Sequence, residues 1–357
     1  MRIAIVGPAY PYKGGGAHHT TELAHRLAEA GHEVVIESWR AQYPSFLYPG
    51  QQTIDTPEGE PFPHVRRKLD WRRPDGWVRC GRRLRRADLV VLAVLSPVQV
   101  PAYLGILYGI RGRAATVALC HNVLPHEAKP YDKPLMKALL NKVDRVLAHS
   151  PEQAEKARGL TGKPVAVATM APHLPARPLG RDRADEARDR LLFFGIVRPY
   201  KGLDLLLRAL AMVPGVGLTV AGEFWGGLDE TTALIAELGL GDRVELRPGY
   251  VAASDVPALF DAADALVLPY RSATASQNVW LGHEHGVPVI ATRVGALPDN
   301  VADGVDGLLV EPGSAEALAE AIGRFYEPGV ARKLREGVRA VDPAPYWAAY
   351  VETLVAG

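Results

Sequence analysis

Short apolar runs alternate with helical segments along almost the whole chain, and this alternation limits the possible folds more than any other feature. The first run is RIAIVG, and further runs lie at residues 32–39, 88–96, 114–123, 144–150, 164–170, 191–197, 217–222, 244–250, 265–270, 288–295 and 307–312. Their nearly continuous Val, Ile, Leu and Ala content is typical of parallel strands that are buried on both faces. The sequence therefore predicts an α/β protein.

The composition of the sequence changes after residue 170, and this change divides the chain into two parts. Residues 171–190 are rich in Pro, Arg and Asp and have no apolar period, which indicates an interdomain linker. A length of 357 residues also favours two domains. We predict two Rossmann-like, doubly wound domains at 1–172 and 173–342 that face a central ligand-binding cleft. Residues 343–357 are predicted to form a helix that packs back on the first domain.

Composition excludes several classes of protein. Lys and Arg total 41 against 40 Asp and Glu, so no overall charge points to a nucleic-acid partner. The two cysteines, Cys80 and Cys120, indicate a reducing compartment, and we expect a cytoplasmic protein without a signal peptide. The apolar stretch 89–110 is interrupted by Pro97 and Pro101, which favours a strand followed by a helix over a membrane span.

A glycine-rich loop, residues 14–16, lies between the first predicted strand and the first helix. Glycines at such a place let backbone N–H groups approach a phosphate or a sugar. The loop does not have the spacing of a dinucleotide-binding fingerprint, although Glu37 at the end of the second strand could hold a ribose in an oxidoreductase. A flexible turn is the other interpretation. Of the neighbouring histidines His18 and His19, we expect one to face the cleft and the other to lie on the surface.

Three further segments carry polar groups where predicted strands end. His121 could hydrogen-bond a sugar hydroxyl or donate a proton, or it could be structural. Arg198 and Lys201 could bind a diphosphate and stabilise a leaving group, or they could form a solvated basic turn. In the third segment, Thr274 and Ser276 precede a helix, where they could cap its N-terminus, form part of an anion site, or do both.

The segments FFGIVRPYKGLDLLLRAL, VELRPGYV, ALVLPYRSATAS, HGVPVIATRVGALPDNV and DGLLVEPGSAEALAEAI follow one another in the second half. Together with GGAHHTTELAHRLAEAGHEVVI, their order and spacing resemble the retaining GT-B glycosyltransferases of glycosyltransferase family 4. The resemblance implies a GT-B fold and transfer of a hexosyl group, with retention, from a UDP- or GDP-linked sugar to a hydroxyl acceptor.

The resemblance also implies roles for individual residues. Arg198 and Lys201 would bind the donor diphosphate, and His121 would lie near the reacting sugar. The distal phosphate and the base would be contacted by two groups of loop residues: Ser276, Gln277 and Asn278, and Gly249, Tyr250 and Val251. Gly15, Gly16 and His18 would belong to the acceptor side.

The chain departs from the family pattern at several positions. Where most relatives carry two glutamates eight residues apart, it has Ala273 and Leu281, so we assign the ribose contact to Glu284, one helical turn further on. Ile196 stands where many relatives have an arginine, and Ser276 replaces a loop glycine. This pattern resembles a subgroup of the family that has a Ser-Ala-Thr loop.

We expect no metal and no cofactor, because the chain contains no D-x-D sequence and no His/Cys cluster with metal-ligand spacing. Two other functions stay open. One is an NAD-type oxidoreductase that uses the first domain and Glu37, and the other is a non-catalytic module that binds sugar nucleotides.

Residues 64–86 contain ten cations against two acids. In a helix, Arg79, Arg82, Arg83 and Arg86 would share one face, opposite Trp77, Cys80 and Leu84. Such a face suits an anionic membrane surface, which would make the protein peripheral at the inner face of the membrane and its acceptor lipid-linked. Alternatively, the arginines are solvated or pair with acids elsewhere in the fold.

Overall fold

The computed structural model describes residues 1–44, 51–57, 59–125, 127–173, 189–274 and 276–356. Contacts divide the chain into two compact units, Met1–His173 with Pro343–Gly357, and Leu174–Asp342. This division falls one residue from the predicted boundary. Most of the predicted linker, at 174–188, lies outside the described residues.

The described part of the first unit contains a sheet of seven parallel strands. The strands are β1 (Arg2–Val6), β2 (Glu33–Ala41), β3 (Val65–Asp70), β4 (Leu89–Val94), β5 (Ala115–Cys120), β6 (Arg145–Ala148) and β7 (Val165–Val167). Their order is β3-β2-β1-β4-β5-β6-β7, so the chain winds outward in both directions from β1 and β4. The doubly wound arrangement predicted for this half is confirmed.

The described part of the second unit contains a sheet of six parallel strands. They are β8 (Arg190–Phe194), β9 (Gly217–Gly222), β10 (Val244–Pro248), β11 (Ala265–Leu268), β12 (Val289–Thr292) and β13 (Gly307–Val310). The order β10-β9-β8-β11-β12-β13 repeats the pattern of the first unit, with the reversal between β8 and β11.

Helices connect the strands and cover the sheets. They are α1 (Gly15–Glu29), α2 (Pro74–Leu84), α3 (Val100–Ile110), α4 (Asp132–Leu140), α5 (Pro151–Arg158), α6 (Leu203–Met212), α7 (Leu228–Glu237), α8 (Val256–Asp261), α9 (Gln277–Glu284), α10 (Leu297–Asn300), α11 (Ala315–Phe325), α12 (Val330–Gly337) and α13 (Ala344–Val355). Short 3-10 turns occupy Pro97–Gln99 and Pro199–Lys201. No helix in the described ranges is long and apolar enough to cross a membrane.

The strands are apolar throughout because both faces of each sheet are covered. In β4, Val90 and Leu92 pack into the core on one side, with Tyr103 of α3. Leu89 and Val91 pack on the other side, with Leu23 of α1. Successive side chains of a strand point to opposite faces, so a strand between two layers needs an unbroken apolar run. Stretch 89–110 is therefore a strand and a helix, as predicted.

The basic stretch 64–86 is the main correction to the expected elements. Residues 65–70 form the edge strand β3, and only Pro74–Leu84 are helical, so Arg86 lies beyond the helix. Pro74 is at the first helical position, where its missing N–H costs no hydrogen bond. The segment pairs with β2 because Leu69 is a buried residue at this edge of the sheet.

Candidate active site

The second unit offers a binding site at the point where its strand order reverses. In doubly wound sheets, ligands bind in the crevice outside the carboxyl ends of the two strands that flank this point. Here those strands are β8 and β11, and the segments that leave them are 195–202 and 269–276. These segments carry Arg198, Lys201 and Ser276, so the fold brings these predicted donor residues to one place.

The two segments are fastened together by Arg271. Its backbone N–H donates to the carbonyl of Tyr200 at 2.7 Å, and its guanidinium donates to both carboxylate oxygens of Asp204, also at 2.7 Å. Gly202 has a φ of +69°, and a Cβ there would lie 2.1 Å from the carbonyl oxygen of Pro269. Only glycine fits this approach, and the turn Pro199–Lys201 is thereby held against the end of β11.

Lys201 is a partly buried cation at this crevice. Its Nζ lies 5.3 Å from the ring centroid of Tyr270 and 3.6 Å from the point that a Cβ on Gly195 would occupy. Burial lowers the pKa of Lys201, and the charge of Arg198 acts in the same direction. Within the described ranges no carboxylate pairs with this ammonium. A negatively charged ligand would supply the missing counter-charge.

Arg198 stands at the start of the same turn, with an extended backbone. The Cζ atom of its guanidinium lies 5.2 Å from the ring centroid of Trp225. Contact with an aromatic ring orients a guanidinium group.

The N-terminus of α9 completes the crevice. Ser276 caps the helix, accepting from the backbone N–H of Asn278 at 3.3 Å, so the capping interpretation is confirmed. The side-chain Nδ2 of Asn278 donates to the carbonyl of Phe194 at 2.8 Å and ties α9 to the end of β8. Burial raises the pKa of the adjacent Tyr270 to about 12. The positive end of the helix therefore lies beside Lys201.

In the first unit, strands β5 and β6 each end at a histidine, His121 and His149. Ring centroids of these two residues are 5.0 Å apart, and His19 of α1 lies 4.8 Å from His121 and 5.3 Å from His149. His173 lies 5.2 Å from His19. We call His19, His121, His149 and His173 the histidine cluster.

Helix α13 belongs to this unit and covers the cluster. Trp347 and Tyr350 are almost completely buried, with ring centroids 5.5 Å and 5.2 Å from that of His19. The indole N–H of Trp347 donates to the carbonyl of Pro172 at 2.8 Å and anchors the helix.

Burial determines the protonation state of the cluster. It lowers the pKa of His149 to about 4 and that of His173 to about 3. It also lowers the pKa values of His19 and His121 well below the ordinary value, and the neighbouring imidazoles add to the effect. At neutral pH these rings are uncharged. The Nε2 atom of His121 is buried without a hydrogen-bond partner in the described structure.

The rings of the cluster meet edge to face, with interplanar angles from 61° to 84°. Among the residues that the structure describes, no three His, Cys, Asp or Glu side chains are arranged to hold a metal ion.

Family comparisons match both halves of the chain. Residues 188–328 match the family described as Glycosyl transferases group 1, and residues 13–169 match Glycosyltransferase Family 4. The chain belongs to glycosyltransferase family 4. Sequence relatives of this family 4 protein include the D-inositol 3-phosphate glycosyltransferase of Mycobacteroides abscessus, 39% identical over 147 residues, which are 40% of this chain and 32% of the relative. D-inositol 3-phosphate glycosyltransferase 1 of Catenulispora acidiphila is 30% identical over 263 residues, with coverages of 66% and 62%. The matches thus span about a third to three fifths of these relatives.

Solved structures support the fold of this family 4 protein. Sucrose-phosphate synthase from Thermosynechococcus elongatus superposes with a TM-score of 0.74 at 21% identity, covering 100% of this chain and 98% of that one. Anabaena HepE, determined in complex with UDP-glucose, gives 0.76 at 18% identity and covers 100% of both chains. The predicted GT-B fold is confirmed.

The predicted residues of the glycine loop have different environments. Gly15 is exposed, whereas a Cβ on Gly16 would lie 2.7 Å from the terminal methyl groups of Leu95, which would have to shift. His18 is half-buried, with its ring 6.4 Å from that of His173. His19 is completely buried. Of the two histidines, His19 is therefore the enclosed one, while His18 keeps part of its surface exposed.

The other predicted donor residues occupy different positions in the second unit. Gly249 follows β10, and its N–H donates to the carbonyl of Gly222 at 3.0 Å, which brings residues 249–251 to the carboxyl end of the sheet. Glu284 is the last residue of α9, at the end opposite Ser276. Ala273 is buried against Gly295, while Leu281 is partly exposed.

Gly222 holds the backbone at the ends of β8 and β9 together. Its φ is +152°, and a Cβ there would lie 1.8 Å from the carbonyl oxygen of Gly195.

We expect Gly222→Ala to lower the free energy of unfolding by about 2 kcal/mol, because the two strand ends must separate. Urea unfolding measures this change. Gly241→Ala, where a Cβ meets nothing within 4 Å, is the matched control and should change stability by less than about 0.5 kcal/mol. A loss of the same size in both variants would contradict the steric argument.

Glu37 does not have the environment of a ribose-binding acid. It is completely buried, and its carboxylate accepts from Arg83 at 2.8 Å and from Arg66 at 3.4 Å. The interpretation that the basic stretch pairs with acids elsewhere is thus correct for these arginines. Cys80 and Leu84 lie on the buried face of α2, as predicted, and Arg79, Arg82 and Arg83 on the exposed one.

The sequence analysis missed two members of the histidine cluster, His149 and His173. A signal was present, since ALCH at 118–121 and VLAH at 146–149 place a histidine at the same point of two adjacent strands. Parallel strands that pair in this register bring their following residues together. His173 and Trp347 gave no comparable signal, because no strand or motif places them beside β5.

Proposed function

We propose that the chain transfers a hexosyl group from a nucleoside diphosphate sugar to a hydroxyl acceptor, with the donor held by the second unit and the acceptor by the first. The observation that carries the proposal is Lys201, a partly buried ammonium beside the N-terminus of α9 that has no carboxylate partner among the described residues. A donor diphosphate is the anion that such a site in a family 4 protein would take. The name of the relatives, D-inositol 3-phosphate glycosyltransferase, supports a hydroxyl acceptor.

In this proposal Lys201 and Arg198 bind the diphosphate and stabilise its charge as it leaves. The backbone of Ser276, Gln277 and Asn278 holds the distal phosphate, while the segment 249–251 flanks the base and Glu284 reaches the ribose. The cations and the helix end meet the charge of the leaving group, so the reaction needs no metal and no cofactor.

On the acceptor side, Gly15, Gly16 and His18 line the acceptor, and neutral His121 exchanges a hydrogen bond with the reacting sugar through Nε2. We propose that the configuration is retained. The acceptor oxygen bonds to the anomeric carbon on the face from which the phosphate leaves, and its proton passes to the leaving phosphate.

We further propose that the acceptor is lipid-linked and that residues 64–86 contact the inner face of the membrane. The excess of ten cations over two acids in this stretch supports contact with an anionic membrane surface. The oxidoreductase alternative loses its main residue, since the Glu37 carboxylate is occupied by two arginines.

Mass spectrometry of nucleotide released from a panel of UDP- and GDP-linked sugars, with the full chain and candidate acceptors, tests the proposal. We expect one donor to release its nucleotide faster when an acceptor is present, and His121→Ala to slow this release by about 100-fold without weakening donor binding. Binding of a sugar nucleotide without release, over all acceptors tried, would favour the non-catalytic module. Absence of binding to every donor would contradict both.

A further inference from the structure

A pocket of about 280 Å³ lies at one edge of the sheet in the first unit, beside β2, β3 and α2. Its lining is unusually basic. Asp70 is the one acid among the lining residues, and the cations are Arg40, Arg67, Lys68, Arg73, Arg79 and Arg83.

The pairing of β2 with β3 is irregular, and this irregularity places Arg67 and Lys68 beside the pocket. Ser38 pairs with Arg67 and Trp39 pairs with Leu69, so Lys68 is an extra residue in β3. Trp39 pairs with Leu69 and Ala41 with Asp70, so Arg40 is an extra residue in β2. A regular strand would turn consecutive side chains to opposite faces, whereas a bulge re-aims a side chain. The register shifts thus place Arg67 and Lys68 along the same pocket.

Three carboxylates compensate only part of the charge, and each is shared by two arginines. Asp70 pairs with Arg40 and Arg72, both at 3.0 Å. Glu37 pairs with Arg66 and Arg83, and Asp75 pairs with Arg73 and Arg79.

Arg67 and Lys68 remain without a carboxylate. The Nε of Arg67 donates to the carbonyl of Tyr10 at 2.7 Å, which orients the guanidinium without neutralising it. Lys68 has no ion-pair or hydrogen-bond partner in the described ranges. The six arginines that share the three carboxylates, together with Arg67 and Lys68, give eight cations against three acids in and next to the pocket.

We propose that this pocket binds a phosphorylated group, with Arg67 and Lys68 as its main contacts. Guanidinium groups match the tetrahedral oxygens of phosphate with paired hydrogen bonds, and a lysine adds a point charge. A concave site of this volume fits a phosphorylated headgroup or a small phosphate ester, in contrast to the extended charged groove that a nucleic acid needs. The site lies in the first unit and does not depend on the donor site proposed for the second.

Isothermal titration of the full chain with inorganic pyrophosphate at low salt tests the proposal. All proteins carry Lys201→Ala, so that the donor crevice does not contribute. We expect the pair Arg67→Gln with Lys68→Gln to weaken binding by about tenfold or more. The matched pair Arg113→Gln with Lys137→Gln removes the same charge from exposed residues of the first unit that lie outside the pocket and outside 64–86, and it should change binding by less than about threefold.

Sedimentation with phosphatidylglycerol vesicles distinguishes a lipid headgroup from a soluble phosphate. Loss of vesicle binding in the Arg67 and Lys68 pair, but not in the matched pair, would assign the pocket to lipid phosphate even if pyrophosphate does not bind. Equal losses in the two pairs would show diffuse attraction by surface charge and would overturn the proposal. So would the absence of binding to both probes.

Discussion

Lys201→Ala should weaken the binding of UDP or GDP by about 100-fold, roughly 3 kcal/mol, while binding of the corresponding nucleoside changes by less than about threefold. The reason is the position of Nζ, which is partly buried between Gly195 and Tyr270. A phosphate there would restore the charged form that burial disfavours. The nucleoside lacks phosphate and does not engage this cation. Isothermal titration with each nucleotide and nucleoside pair measures the difference.

Lys333→Ala is the matched control for this variant. Lys333 is an exposed lysine on α12 and has no ion-pair partner among the described residues. Its removal should leave nucleotide binding within about twofold of the unaltered chain. Equal weakening of nucleotide and nucleoside by Lys201→Ala would mean that this residue supports the shape of the site instead of binding phosphate.

Acidification from pH 7.5 to 5.5 should lower the free energy of unfolding by about 5 kcal/mol through the histidine cluster. In the folded protein burial depresses the pKa values of His19, His121, His149 and His173, so the rings stay neutral over this range. In the unfolded chain they titrate near pH 6.5 and bind protons. Protons therefore favour the unfolded state, and stability that is present above pH 6.5 is lost as the pH falls. Urea unfolding at the two pH values measures the loss.

His121→Asn and His149→Asn should each reduce this pH-dependent loss by about a quarter, because each removes one of the four groups. His64→Asn, at an exposed histidine outside the cluster, is the control and should leave the pH dependence unchanged. The carboxylate of Asp70 titrates below this window, since hydrogen bonds from Arg72 lower its pKa further. Equal stability at both pH values would show that the cluster opens to solvent.

The basic stretch shows where sequence patterns are insufficient. Cations at Arg79, Arg82 and Arg83 have helical spacing, and that part of the prediction agrees with α2. The cations that precede the helix do not alternate with apolar residues, so no sequence pattern predicts a strand there. Residues 65–70 nevertheless join the sheet, because an edge strand needs only one buried face and backbone hydrogen bonds to a neighbouring strand. The acid that pairs with Arg83 is Glu37, which lies 46 residues earlier in the chain.

By itself, the sequence determined the alternation of strands and helices and the residues that follow each strand. The reason is that a central strand, buried on both faces of its sheet, needs an unbroken run of apolar residues, and such a run is visible in the sequence. It therefore located Lys201, Ser276 and His121 at strand ends. Only the tertiary structure decided which strand ends are neighbours, and with that the histidine cluster under Trp347 and the uncompensated pair Arg67 and Lys68. These contacts join residues that are distant along the chain, and local periodicity carries no information about strand order or register.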